Sequence, residues 1–133
     1  MKNQTKLYLV VFCLLLLLLS ILAYRYAIDS PFRISSEEAR KRIEEGRIDL
    51  ILDVRTDLER STLGFYPGSI HIQSADLEKG MPSLYPDRSL RILAYCNTGH
   101  RARLATDKLH ALGYGKAVFI SSGFWTLWKE GAS

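Results

Sequence analysis

Hydrophobic positions divide this chain into one long unbroken run and a series of short, punctuated ones. Leu7 to Tyr24 is an 18-residue stretch in which Ser20 is the only non-aromatic polar member. As a helix it would span about 27 Å at 1.5 Å per residue, close to the hydrocarbon thickness of a bilayer. Tyr8, Tyr24 and Tyr26 stand near its ends, where interfacial aromatics are favoured. The pattern predicts a single transmembrane helix over residues 7–24, after a tail of residues 1–6. A cleaved signal peptide is the competing reading: Lys2 and Lys6 form a basic leader, and cleavage after Ala23 would leave Ile21 at the minus-three position. The apolar core is longer than the 7–15 residues usual for signal peptides, which favours an uncleaved anchor. Basic residues flank both ends, Lys2 and Lys6 against Arg25 and Arg33, so charge alone leaves the orientation near parity.

Beyond the apolar run the periodicities are shorter. Residues 25–32, with Asp29, Ser30 and Pro31, read as a linker. Ser35 with Glu38 three residues later forms a capping box. It opens a helix of about ten residues with Ala39 and Ile43 on one face, and Gly46 is a natural stop. Ile48 to Val54 is an apolar run suited to a strand buried on both faces, interrupted by Asp53 near its carboxyl end. Ile70 to Ile72 reads as a short strand. Asp76 is placed to cap a brief helix, Leu77 to Leu84, and Pro86-Asp87-Arg88 is a turn. Ile92 to Tyr95 predicts a buried strand, and Leu104, Ala105, Leu109 and Leu112 follow at helical spacing. Lys116 to Ile120 is the last strand and Gly123 to Lys129 a final helix, with Trp128 expected in the core because of the area it buries. Strands alternating with helices imply an α/β domain over residues 33–133. Its sheet should be doubly wound, mainly parallel and covered by helices on both faces.

The 133 residues suffice for one globular domain and an appendage. Net charge is +4, and without Lys2 and Lys6 it falls to +2, too little to argue for nucleic acid. There are two cysteines: Cys13 inside the apolar run and Cys96 in a polar loop, so an internal disulfide is not expected. No Cys/His cluster has metal spacing, and no metal or cofactor is expected.

Chemistry concentrates at Cys96-Asn97-Thr98-Gly99-His100-Arg101. A strand that hands over to a helix through so tight a loop aims several backbone N–H groups at one spot. The helix N-terminus adds positive potential there. The expected product is a nucleophilic sulfur in a ring of donors that favours an anion. His100, Arg101 and Arg103 would strengthen that field. A plain core cysteine at a strand end is the alternative, but it explains neither Gly99 nor the cations. Asp53 falls at the same sheet edge, where α/β ligand crevices lie. It reads at least as well as a turn or cap residue. Arg55 and Glu59 are placed to pair across one turn.

The loop Cys96, Gly99, Arg101 resembles the Cys-x-x-Gly-x-Arg loop of the rhodanese (sulfurtransferase) family. Asp53-Val54-Arg55 with Glu59 resembles its Asp-Val-Arg and following glutamate. Gly64 to Ser69 is similar to its Gly-His-Ile-Pro-Gly-Ala, and Gly113-Tyr114, Ser122-Gly123 and Trp128 to its closing segments. The chain departs from the pattern at Phe65, where the family has His, at Arg60, where an aromatic is common, and by one extra residue before Gly64. The resemblance implies sulfur transfer by a single rhodanese-like domain through a Cys96 persulfide. The surrounding loop, Asn97 to Arg101, would bind the terminal sulfur through its N–H groups, with Arg101 orienting the loop and attracting the donor. Asp53, Arg55 and Arg103 would support. A small anionic sulfur donor such as thiosulfate and a cyanide or thiol acceptor, of the kind a thioredoxin-like protein carries, are the implied partners. Periplasmic single-domain members with a Tyr-Cys-Asn-x-Gly loop place the domain on the outer side of the membrane. Two alternatives stand beside this reading. One is a membrane-tethered binding module without turnover. The other is a cysteine-dependent phosphatase or arsenate reductase, disfavoured because phosphatase loops place five residues between Cys and Arg where this chain has four.

Overall fold

The computed structural model describes residues 2–128. Helix α1 spans Lys2–Ile28, α2 Ser36–Glu44, α3 Asp57–Leu63, α4 Leu77–Leu84 and α5 His100–Ala111; strands β1 to β4 are Leu50–Asp53, Ile70–His71, Ile92–Tyr95 and Val118–Phe119. Short 3-10 turns cover Ser74–Asp76 and Phe124–Leu127. The sheet order is β2-β1-β3-β4 and every pair is parallel, as the alternation of strands and helices requires.

The central strands are apolar because both faces are covered. Along β3, Ile92, Ala94 and then Cys96 face a core shared with Leu77, Met81, Ala102, Ala105 and Leu109 of α4 and α5. Leu93 and Tyr95 face the other core, with Ala39 of α2 and Phe124 and Leu127 of the last turn. Period-two alternation thus sets which side of the sheet Cys96 joins. It is the side of α5, whose N-terminus follows the loop.

Several boundaries differ from the sequence expectation. The first and last strands are shorter than Ile48–Val54 and Lys116–Ile120, because pairing is limited to the register Leu50↔Ile92 through Asp53↔Tyr95 and Leu93↔Val118, Ala94↔Phe119. Residues 32–34 add a further rung outside β4: Phe119 donates its N–H to Phe32 O at 3.0 Å, and Ile34 to Phe119 O at 2.9 Å. The α2 cap is half a box. Ser35 Oγ accepts the Glu38 N–H at 3.0 Å, but the Glu38 carboxylate turns to Arg42 Nε at 2.8 Å. Asp76 makes no side-chain cap on α4. Helix α3 is absent from the sequence reading, yet Thr56 and Glu59 give it a full capping box. The final helix is a four-residue 3-10 turn, and Lys129 lies outside the described residues. Trp128 is not core. It is 39% exposed and stacks on Tyr66 with centroids 6.0 Å apart.

From Lys2 to Tyr26, α1 is long and apolar enough to cross a membrane, as an anchor or as a signal sequence. Its side chains up to Tyr26 are exposed. It continues helically to Ile28, past the expected start of a linker at residue 25, and its last turn meets α5. There Tyr26 Oη donates to Asp107 Oδ2 at 2.9 Å, and the Arg103 guanidinium lies 4.0 Å over the Tyr26 ring and donates to the Tyr26 carbonyl.

Candidate active site

The loop 96–99 carries the chain from β3 into α5 with the sulfur pointing at the helix start. Cys96 has no exposed surface. Its Sγ accepts the Gly99 N–H at 3.1 Å and the Ala102 N–H at 3.4 Å. Gly99 is the N-cap of α5 and Ala102 its third residue, so both are amides without an intrahelical partner, and the helix end turns them on the sulfur. Of the residues 97–101 from which donors are expected, Gly99 supplies one, and the second comes from Ala102, one residue beyond them. Gly99 is required twice over. Its φ is +94°, a left-handed conformation, and a Cβ would lie 2.6 Å from Ser121 Cα. Ser121 backs the loop, which the sequence did not reveal.

Beneath the loop lies a fully buried ion cluster. Arg55 and Asp53 have no exposed surface. Arg55 Nη2 donates to Asp53 Oδ2 at 2.8 Å and to Gly64 O at 2.6 Å, while Arg55 Nε and its backbone N–H reach Asp53 Oδ1 at 3.0 Å. Arg60 Nη1 adds a second cation to Asp53 Oδ2 at 3.1 Å and ties in Ser69 Oγ at 3.0 Å; Tyr95 Oη donates to Asp53 Oδ2 at 3.0 Å. Burial alone would push the Asp53 carboxyl up, but the Arg55 hydrogen bonds hold it below the ordinary carboxylate value. The same partnership raises Arg55. Burial pushes the Tyr95 phenol up. The guanidinium of Arg55 packs against two adjoining rings, 5.4 Å from the Tyr95 centroid and 5.1 Å from that of Phe124. These residues brace the loop from below, and the turn-residue reading of Asp53 describes its bond to the Arg55 amide.

Arg55 does not pair with Glu59. The carboxylate of Glu59 grips Arg101 instead, Nη1 to Oε1 at 2.7 Å and Nη2 to Oε2 at 2.6 Å, and accepts Asn97 Nδ2 at 2.7 Å. The reason is local: Glu59 is the third residue of α3 and its Oε1 also serves Thr56 in the capping box, which turns the side chain toward the loop. The Arg101 hydrogen bonds bring Glu59 down to about 2, and Glu59 in turn raises Arg101. Asn97 joins the two systems, since its Oδ1 accepts Arg55 Nη1 at 3.3 Å. His71 braces the other side by bonding Arg55 O at 2.7 Å.

The structure thus gathers Asp53, Arg55, Cys96, Asn97, Gly99 and Arg101. Thr98 and His100 are exposed on the rim. Arg103 is removed from the site: it faces Tyr26 and Asp107, with Nε 3.2 Å from Asp107 Oδ2. Spaced two residues from Arg101 on a helix, it cannot share that residue's face. Tyr95, Ser69 and Ser121 are participants that the sequence does not assign to the site, and Arg60, legible only as a departure from the family pattern, joins them. Only the Thr56-x-x-Glu59 cap signal would have anticipated Glu59's aim.

Solved structures with this arrangement of elements are known. A human single-domain sulfurtransferase is 26% identical, with a TM-score of 0.63, covering 78% of this chain and all of its own. A rhodanese-related protein from Thermoplasma volcanium is 25% identical, with a TM-score of 0.61, covering 76% of this chain and 94% of its own. A Rhodopseudomonas palustris protein of unknown function, described as a possible tyrosine phosphatase, is 23% identical, with a TM-score of 0.65, covering 77% of this chain and 83% of its own; at that identity it shows the fold alone. No curated protein matches the chain. The model of the rhodanese-like domain family matches residues 35–131, from the cap of α2 past the last described turn, and the chain belongs to that family.

Proposed function

We propose that this protein is a sulfurtransferase working through a Cys96 persulfide. The observation that supports it most is the pair of amides at the start of α5, Gly99 at the N-cap and Ala102 in the first turn, that converge on Cys96 Sγ. In the first step the Cys96 thiolate attacks the outer, sulfane sulfur of thiosulfate. The S–S bond of the donor breaks, its electron pair leaves with sulfite, and Cys96 carries one added sulfur bearing a negative charge. In the second step a cyanide ion or a thiolate attacks that outer sulfur and departs as thiocyanate or a persulfide, returning Cys96 as thiolate. Atoms and electrons balance without an external oxidant or a cofactor. The two amides stabilise the negative charge on sulfur through both steps.

Arg101 follows the loop at the start of α5, and Glu59 holds it. An anionic donor competes with the Glu59 carboxylate for the same guanidinium, which orients the donor as it arrives. Asn97 and Arg55 keep the loop shaped meanwhile. This resting pair and the four-residue spacing to Cys96 do not suit a phosphatase, whose arginine must close a wider loop on phosphate.

We further infer that α1 anchors the domain in a membrane, with the domain on its extracytoplasmic side and a thiol-bearing protein of thioredoxin type as acceptor. The apolar length of Lys2–Tyr26 supports the anchor, and the resemblance to periplasmic members supports the side. The deciding experiment is intact-mass measurement of the full chain in detergent after thiosulfate treatment. One added sulfur on Cys96, removed by cyanide, is expected. A chain that stays unmodified while binding a partner would instead mark a module without turnover.

A further inference from the structure

Of the seven large apolar side chains exposed after α1 among the described residues, five gather at one edge of the domain, while Leu84 and Leu104 stand apart on α4 and α5. Leu58, Leu63, Phe65, Trp125 and Trp128 are between 39% and 72% exposed. Leu58 and Leu63 stand on α3, which leaves the carboxyl end of β1, and Trp125 and Trp128 follow the carboxyl end of β4. Phe65 is next to Tyr66, whose amide donates to Tyr95 Oη at the carboxyl end of β3. Ring contacts join the pieces: Trp128 packs on Tyr66 with centroids 6.0 Å apart, and Phe124 meets Trp125 at 5.7 Å and Trp128 at 5.4 Å. The Cys96 loop leaves the sheet at this same edge.

The path of the tether is an independent observation. Tyr26 lies across the first two turns of α5, with its ring 6.1 Å from that of His100, the Arg103 guanidinium over it and its hydroxyl on Asp107. Six residues later Phe32 stacks on His110, in the last turn of α5, with centroids 3.6 Å apart. The chain therefore runs toward the C-terminal end of α5, and α1 meets that helix nearer the end that follows the Cys96 loop. Only the last turn of α1 touches the domain. Tyr24 is two residues from this contact, so a bilayer around Leu7–Tyr24 would lie close to the domain.

We propose that this edge rests on the bilayer, with Leu58, Leu63, Phe65, Trp125 and Trp128 seated in the lipid headgroup layer and the Cys96 loop facing it. The inference rests on the anchor reading of α1. Tryptophan suits this layer, because it offers an apolar body and a polar N–H. The charges at the edge are of both signs, with Asp57 and Glu59 set against Arg60 and Arg101. Apolar and aromatic contact therefore drives the seating, and a zwitterionic lipid is sufficient.

The chain has two tryptophans, Trp125 and Trp128, so its tryptophan emission reports this edge alone. The test reconstitutes the full chain into phosphatidylcholine vesicles, with or without acyl chains brominated close to the glycerol. The expected result is that the chain floats with the vesicles and that shallow bromines reduce its emission by about half, more than bromines placed near the chain ends. Leu58→Asp combined with Leu63→Asp changes two exposed positions and leaves the core intact. It is expected to restore emission in a chain that still floats, with its circular dichroism unchanged. A chain that floats with emission indifferent to bromine, or a double variant still quenched like the parent, overturns the seating and leaves the anchor standing. A chain that does not float overturns both.

Discussion

Two ion pairs flank the nucleophile, and they differ in one respect that decides their roles. Asp53 and Arg55 are wholly buried, and every polar atom of the pair that could be left orphaned has a partner: Arg60 and Tyr95 on the carboxylate, Gly64 O and Asn97 on the guanidinium. Glu59 and Arg101 make the tighter contact by distance, yet their side chains are 24% and 36% exposed. In a buried cluster, removing one partner strands a charge where water cannot reach it. In a half-exposed pair, water replaces the lost partner and the net worth is small. Identical chemistry therefore gives a fixed frame below the loop and an exchangeable clasp above it. The sulfur transfer proposed above needs both, since the loop must keep its shape while an anion comes and goes.

The largest effect lies between the two, at the sulfur. Cys96→Ala is expected to abolish thiosulfate:cyanide transfer while costing about 1 kcal/mol of stability, since only one buried atom is lost. Activity assay and urea unfolding on one preparation check both halves. Next, Asp53→Ala strands Arg55 and is expected to destabilise the domain by about 3–5 kcal/mol, read as a lower unfolding midpoint. If Asp53→Ala proves no worse than Arg101→Ala, the distinction between frame and clasp fails. Gly99→Ala follows: a left-handed φ and a contact of 2.6 Å to Ser121 Cα predict a loss of about 1–3 kcal/mol, together with a slower first step because the Gly99 amide shifts from the sulfur.

The clasp gives smaller and more specific effects. Arg101→Ala is expected to change stability by about 1 kcal/mol or less and to raise KM for thiosulfate. Glu59→Gln keeps the capping box, because Gln serves at that position as Glu does, but it removes the charge that holds Arg101. KM for the anionic donor is then expected to fall. Steady-state kinetics that showed the two variants shifting KM in the same direction would break the exchange model.

The contrast between frame and clasp also explains how far the sequence could be read. Cys96, Gly99 and Arg101 announce themselves through spacing within one loop, and the parallel sheet follows from strands and helices that alternate. Pairings between segments were less legible. Glu59 lies four residues after Arg55 and 42 before Arg101, and local reasoning chose the near partner. The choice failed because Asp53 already saturates Arg55 inside the core, and because the Thr56 cap swings Glu59 outward. Arg103 misled for the opposite reason. Two residues beyond Arg101 in sequence, it lies around the helix on a different face, where Tyr26 claims it. Trp128 shows that size alone does not bury a side chain when the turn carrying it ends at the rim of the domain.

The smallest effect is a pH dependence, and its sign follows from the clasp. Arg101 lowers the Glu59 carboxyl to about 2, below its ordinary value near 4.5. A carboxylate depressed by folding contributes stability in full above the unfolded value and loses it as pH falls toward the folded one. The domain should therefore lose part of its stability between about pH 4.5 and 2, and Glu59's share, screened by solvent, is about 1 kcal/mol or less. Asp53, also held below its ordinary value, acts in the same direction. Glu59→Gln separates the two, for it removes the clasp's share and keeps the frame's. Urea midpoints measured at pH 6 and pH 3 are expected to differ less in Glu59→Gln than in the parent chain, with most of the acid loss retained. Were the whole acid dependence to vanish with Glu59, the exposed pair rather than the buried one would be holding the site together, and the roles assigned to the two would have to be exchanged.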